Sequence, residues 1–362
     1  MAAARSSREH FILVGSYTSS YAAFRASGLG LTLLAFDAET GTPEPRGFLG
    51  DLANPSYVRW LSSDRAQVTL ETTDAEAGLA LIAVDDAAGL ALLGRVGVQG
   101  AAPCHVDVHP SRKWVAAACY GSGHIVRAEL DADGALAAPG LINLQSGSGT
   151  HPQRQTSSHP HAACFTRDGK FLIVPDLGTD ELWCYELTGD MTAPRRWRAP
   201  SGSGPRLVLF SRDDRHLILV HELASTVSSL RWQDGEITTV TTASTLATGF
   251  SGANTAAGLR WHPSDEMFAV SNRGEDSIAL FRFATHSGAI TPLARAASGG
   301  VKPRDFDFSP CGRWLVAGNQ DSDTLVVFRV DVAAGTLTAA GHAVTVASPS
   351  CVRFRPPATR SI

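Results

Sequence analysis

Several absences narrow the possibilities before any motif is considered. The six cysteines (Cys104, Cys119, Cys164, Cys184, Cys311, Cys351) form no C-x-x-C pair and no zinc-like spacing. That argues against a disulfide framework and a structural metal site. The opening stretch "MAAARSSREHFILVGSY" holds only a four-residue apolar run, too short for a signal peptide or a membrane span. A cytoplasmic protein with no membrane partner is expected. A net charge of −4 is small and dispersed, leaving no basic stripe for nucleic acid and no acidic tail. There is no convincing amphipathic helix.

What is present is punctuation and repetition. The 34 glycines and 19 prolines are scattered at regular intervals, as many short elements require. "PSYVRWL" begins at Pro55, "PCHVDVH" at Pro103, "PHAACFT" at Pro160, "PRLVLFS" at Pro205, "AAGLRWH" at Ala256, "PRDFDFS" at Pro303 and "PSCVRFR" at Pro349. Successive anchors lie 48, 57, 45, 51, 47 and 46 residues apart. A second series sets the same phase: Gly41, Gly89, Gly134, Gly189, Gly235, Gly288 and Gly335, each near a predicted hairpin turn. Each unit reads as four short strands with period-2 alternation and Gly/Asp/Asn turns. Four antiparallel strands in a unit of 40–50 residues is the pattern of a β-propeller blade.

The chain begins in mid-blade, with "FILVGSY", "GLTLLAFD" and "TPEPRGFL". It finishes with a lone first strand, "PSCVRFR". Pairing the two predicts an all-β, seven-bladed β-propeller closed between its ends, a single domain over 1–362.

In a propeller, the start of each innermost strand and the end of the second strand meet at one mouth of the channel. That rim collects His159 and His161, Arg206, Arg273, Glu222, Tyr120, Asp176, Asn272 and Gln320 from different blades. Histidines, arginines and a glutamate at a concave mouth form a candidate site. The opposite rim, with turns such as "SSDR" and "PSRK", reads as solvated turn sequence. The longest interval brings a Gly/Ser-rich loop, "NLQSGSGTHPQRQTSSHPH", to the candidate mouth, with Arg154 and Gln155 in reach.

Plainer roles stand beside these. His105 is read as packing or bonding to backbone, and aspartates in "DLGTD" and "QDSD" as turn formers. His159 and His161 could join His151 on a metal, but no fixed third ligand frames such a site, so no metal is expected. Glu222 follows a strongly apolar strand, so its carboxylate needs Arg206, Arg273 or a functional partner.

At these residues the sequence resembles the seven-bladed propeller lactonases, the family of 6-phosphogluconolactonase and carboxymuconate-lactonizing enzyme. "GSYT", "NPSYV", "CYGSG", "HPHAACF", "PDLGTDELW", "GPR", "HELAST", "SNRGEDSIALF" and "PRDFDFSPCGRWLVAGNQDSDTLVVF" look like its landmarks, in order, over nearly the whole chain. The resemblance implies a catalytic set of His161, Arg206, Glu222 and Arg273. Arg154, Gln155, His159, Tyr120, Asp176, Asn272 and Gln320 are placed as substrate-binding residues. The family often carries a histidine after "GPR", where this chain has Leu207, which removes one potential substrate contact.

The expected activity is metal-independent hydrolysis of a sugar-acid lactone, 6-phosphogluconolactone or a related aldonolactone. His161 would act as general acid/base, oriented by Glu222 directly or through water, with Glu222 as the alternative base. Arg206 and Arg273 would hold an anionic group and the developing oxyanion. The partner is a small anionic lactone, and no cofactor is required. The same residues run in reverse would give a lactonizing cycloisomerase. A non-catalytic interaction scaffold is the third class, disfavoured because regular Trp-Asp and Gly-His signatures are missing.

Overall fold

The computed structural model describes residues 9–19, 26–87, 89–188 and 193–357. Seven four-stranded antiparallel sheets follow one another around a channel. The blades span, in chain order, residues 55–97, 103–144, 164–198, 205–244, 255–297 and 303–345. The seventh combines Pro349–Phe354 with Glu9–Ser16, Leu31–Asp37 and Pro43–Leu49. The C-terminal strand lies innermost in that blade and pairs antiparallel with Glu9–Ser16 from Ile12↔Phe354 to Ser16↔Pro349. The expected ring closure is observed.

The core is divided among the seams between blades. Seven hydrophobic clusters are each shared mainly by two neighbouring blades. Phe268, Phe281, Ile218 and Val220, for example, seal blades four and five. Each fully buried side chain of this size contributes about 1.5–3 kcal/mol relative to exposure.

The two sequence series have separate structural causes. Each described glycine of the second series lies at the turn joining the third and fourth strands, with φ between 67° and 90°. This is left-handed backbone that favours glycine. At Gly288 an added Cβ would stand 2.3 Å from the His216 ring. Gly189 lies outside the described residues.

The proline series marks where the inner strand leaves a tight turn. Asn54, Ala102, Lys302 and Ser348, each preceding such a proline, have φ of 43–54°.

An inner strand has no ladder partner on its channel side, so some of its amides are bound by side chains of the preceding blade. Asp107 accepts from Phe165 N at 3.0 Å, Asp307 from Phe354 N at 2.9 Å and Asp305 from Val352 N at 3.1 Å. His105 plays the same part, its Nδ1 accepting from Ala163 N at 3.3 Å, so its expected backbone role is present. Burial, followed by Arg260, holds His105 at about 3, in its neutral form.

One inner strand departs from expectation. In blade three only Cys164–Phe165 is regular strand, preceded by an isolated bridge between Pro160 and Asp176. His161 therefore sits in an irregular stretch, where His105 binds the amide of Ala163 from the side.

Candidate active site

Two rings of equivalent positions build the mouth. One follows the strand-one anchors: Ser56, Cys104, His161, Arg206, Ala257, Arg304 and Ser350. The other follows the residue paired with each anchor on the second strand: Tyr17, Glu71, Tyr120, Leu177, Glu222, Arg273 and Gln320. His161 and Arg206 occupy the first ring, Glu222 and Arg273 the second. The propeller symmetry brings together residues that are as much as 112 positions apart, from His161 to Arg273.

Glu222 is the hub. It is 1 % exposed and faces three guanidinium groups. Arg154 Nη2 donates to its Oε1 at 2.7 Å, Arg273 Nη2 approaches Oε2 at 3.1 Å, and Arg206 Nη1 donates to Oε2. Burial alone would raise Glu222, but Arg273, Arg206 and Arg154 hold it well below the usual carboxylate range. Three cations against one carboxylate leave the mouth electropositive.

Arg206 Nη1 also meets His161 Nε2. A guanidinium can only donate, so Nε2 accepts and the ring proton is assigned to Nδ1. Nδ1 lies 3.7 Å from Cys104 Sγ. Burial, with Arg206 next, keeps His161 well below the ordinary histidine value and therefore neutral. Glu222 Oε2 is 3.8 Å from His161 Nε2, beyond hydrogen-bond range. Of the two expected orientations, direct or through water, the direct one is thus absent, and Arg206 bridges the two.

Backbone carbonyls fix the arginines further. Arg206 Nε donates to Ala257 O at 3.2 Å and Arg273 Nη2 to Ala256 O at 3.3 Å. Arg273 Nε is buried without a hydrogen-bond partner, leaving one donor uncommitted. Burial draws Arg273 down to about 9, with Glu222 opposing, so it stays cationic near neutral pH.

The expected substrate-binding residues divide into two groups. Arg154, Tyr120 and His159 join the cluster: Arg154 donates to the Tyr120 hydroxyl at 3.1 Å, and His159 stacks on Tyr120 at 4.6 Å between centroids. Gln155, Asp176 and Asn272 do not. Gln155 Oε1 accepts from the amides of Thr150 and His151, while its Nε2 donates to Leu177 O and Asp180. Asp176 binds Ser158 and the amides of His159 and Gly178, and Asn272 braces Thr245 and Ser277. These three serve their own turns, because buried backbone groups there need partners. Gln320 is buried in the 3-10 turn Gln320–Ser322, and no hydrogen bond or ion pair links it to the cluster.

Sequence reasoning missed Glu71, which accepts from the Tyr17 hydroxyl at 2.9 Å and lines the channel with His161, Arg206 and Arg304. Its signal was available: it follows the second strand of blade one as Glu222 follows that of blade four.

The reading of the opposite rim needs correction. Four positions beyond five of the seven anchors, the inner strands place Arg59, Asp107, Arg260, Asp307 and Arg353 near the other mouth. This is a second charged cluster rather than solvated turn alone. Among the described residues, no group of three or more His, Cys, Asp or Glu could hold a metal ion, and no helix is long and apolar enough to cross a membrane.

A family model described as "Lactonase, 7-bladed beta-propeller" matches residues 11–354. The 6-phosphogluconolactonase of Bacillus subtilis is 30% identical over 345 residues, covering 94% of this chain and 97% of its own. The structure described as a periplasmic gluconolactonase of Pseudomonas aeruginosa superposes with a TM-score of 0.88 at 28% identity, over 96% of this chain and 99% of that one.

Proposed function

Because the chain belongs to the seven-bladed β-propeller lactonase family, we propose that it hydrolyses a sugar-acid lactone at the Glu222 mouth, with 6-phosphogluconolactone as the preferred substrate and gluconolactone as the neutral competitor. The observation that carries this reading is the convergence of Arg154, Arg206 and Arg273 on one buried carboxylate beside a neutral histidine. The surplus of two positive charges suits a substrate bearing an anion. Relatives named for both substrates support the lactone class.

In the proposed reaction, water attacks the lactone carbonyl and His161 Nε2 takes its proton. Negative charge on the carbonyl oxygen draws Arg206 from Nε2, which frees the lone pair as the oxyanion forms. The ring C–O bond then breaks, and the protonated His161 returns the proton to the departing alkoxide. Arg273, with its uncommitted Nε, and Arg154 hold the phosphate or the hydroxyls. Glu222 keeps three mutually repelling arginines in place, so it acts as a positioning residue. A cytoplasmic setting is consistent with six unpaired thiols.

A panel of 6-phosphogluconolactone, gluconolactone and muconolactone, followed by pH-stat, tests the assignment. Arg273→Ala should raise KM about tenfold or more for the phosphorylated lactone and little for the neutral one. Equal effects on both would remove Arg273 from anion recognition, and no turnover of any lactone would end the reading.

A further inference from the structure

The second mouth of the channel holds a cavity of about 520 Å³ that the proposed reaction does not use. Among the described residues, Arg59, Arg112, Arg260 and Arg353 line it, against a single lining carboxylate, Asp307. Two further aspartates stand behind the arginines. Asp305 accepts from Arg260 Nη2 at 3.0 Å and from Arg353, and Asp107 pairs with Arg59 at 2.8 Å. Counting all three carboxylates against the four guanidinium groups leaves one positive charge in excess. Asp107, Asp305 and Asp307 also accept amides of the neighbouring inner strands, so their oxygens are committed to the fold.

The wall has a surplus of donors as well as of charge. Trp60 Nε1, Arg260 Nε and Arg353 Nη2 are buried nitrogens without hydrogen-bond partners, and all three residues line this cavity. These nitrogens lie within the wall rather than on its open face, so they add positive potential behind the cavity surface. Arg353 is itself only 9 % exposed. On the cavity's other walls lie apolar surfaces of Trp60, Leu209 and Phe354. Such a cavity accepts neither a cation nor a fully hydrated sugar well.

We propose that this second mouth is a binding site for a small organic anion, its acidic head group at Arg260 and Arg353 and its apolar body against Trp60 and Phe354. The site is separate from the lactone site: Asp305 and Tyr57, which also line the channel beside His161 and Arg206, stand between the two. Planar guanidinium groups bind carboxylate and phosphate oxygens bidentately, and the aromatic edge selects acids with a flat or alkyl body over inorganic anions.

The full-length protein is titrated calorimetrically with 4-bromobenzoate and with its neutral analogue 4-bromobenzyl alcohol, and crystals soaked in the acid are examined for bromine anomalous scattering. The acid should bind and the alcohol should not, with a bromine peak beside Trp60. Arg59→Gln with Arg112→Gln, two exposed changes outside the lactone machinery, should weaken acid binding about fivefold or more while leaving lactone kcat/KM unchanged. Equal binding of the alcohol overturns the proposal. So does a bromine peak only at the Glu222 mouth, or an affinity lost in Arg273→Ala but unchanged in the double variant.

Discussion

The two mouths of the channel use the same side-chain chemistry for different ends. At the second mouth each aspartate is tied to backbone amides of the next blade, and the arginines are paired across the seam. At the first mouth the carboxylate of Glu222 accepts no backbone amide; its partners are arginine side chains. A carboxylate that serves the backbone belongs to the fold, whereas one that gathers side chains from three parts of the chain assembles a site. Counting charges would not separate them; tracing what each oxygen accepts does.

The largest effect should come from undoing the closure on which both mouths depend. Removing residues 349–362 deletes a six-residue inner strand that is buried throughout and exposes the edge of Glu9–Ser16. The truncated chain should show no cooperative thermal transition. A soluble monomer melting like the full-length protein would contradict the closure.

Next, Asp305→Ala should cost about 3–5 kcal/mol in urea unfolding, because it leaves Arg260, Arg353 and the amide of Val352 without their acceptor. The fraction that folds should keep turnover within about tenfold of the parent. His161→Ala should do the reverse, lowering kcat about 10²-fold or more with KM nearly unchanged and a much smaller loss of stability. If Asp305→Ala abolished turnover in fully folded protein, the division of labour between the mouths would fail.

A subtler contrast is in pH. The folded-state value of His161 lies well below the ordinary 6.5, so the neutral base persists as pH falls through that value. With the neutral lactone, kcat/KM should therefore stay level from pH 8 to below 6.5, and an acid limb centred at 6.5 would show that His161 is not held low. The linked stability has a definite sign: below pH 6.5 the unfolded histidine binds a proton that the folded one refuses, so this contribution falls as pH drops. Glu222, held low, adds stability above its ordinary 4.5 that is lost as pH falls through its folded value. The smallest expected effect is from chelation: exhaustive EDTA should leave turnover unchanged, and restoration of lost activity by one divalent ion would require metal-assisted hydrolysis.

The blade plan was readable because its signals are backbone requirements repeated seven times. Only a few residues tolerate the left-handed turn at Gly41 or Gly288, and proline at six of the seven anchors stiffens the entry to the inner strand. The mouth was readable for a related reason, since equivalent positions in a closed ring must converge. What sequence could not separate was a polar residue facing the channel from one facing its own turn. Asp176 and Asn272 sit at strand-two ends like Arg273, one position from the ring that faces the channel, and are spent on local amides and hydroxyls. The second mouth is hidden in the sequence because the charged residues of "VRW", "VDV", "LRW", "FDF" and "VRF" stand inside strands, four positions beyond the anchors, where alternation alone does not show that they converge.

The blade completed by both ends of the chain also sets a timetable. Its three outer strands precede all six other blades in the chain, yet the inner strand that completes it, Pro349–Phe354, follows them. During synthesis, Glu9–Ser16 must wait with an open edge while six whole blades form. Joining Ile12 to Phe354 closes a loop of 342 residues, a long-range contact of the kind that slows folding. The pairing that closes the ring is also the one that brings Arg353 into the channel. A nascent chain would have His161, Arg206, Glu222 and Arg273 in hand before the ring that holds them in register exists.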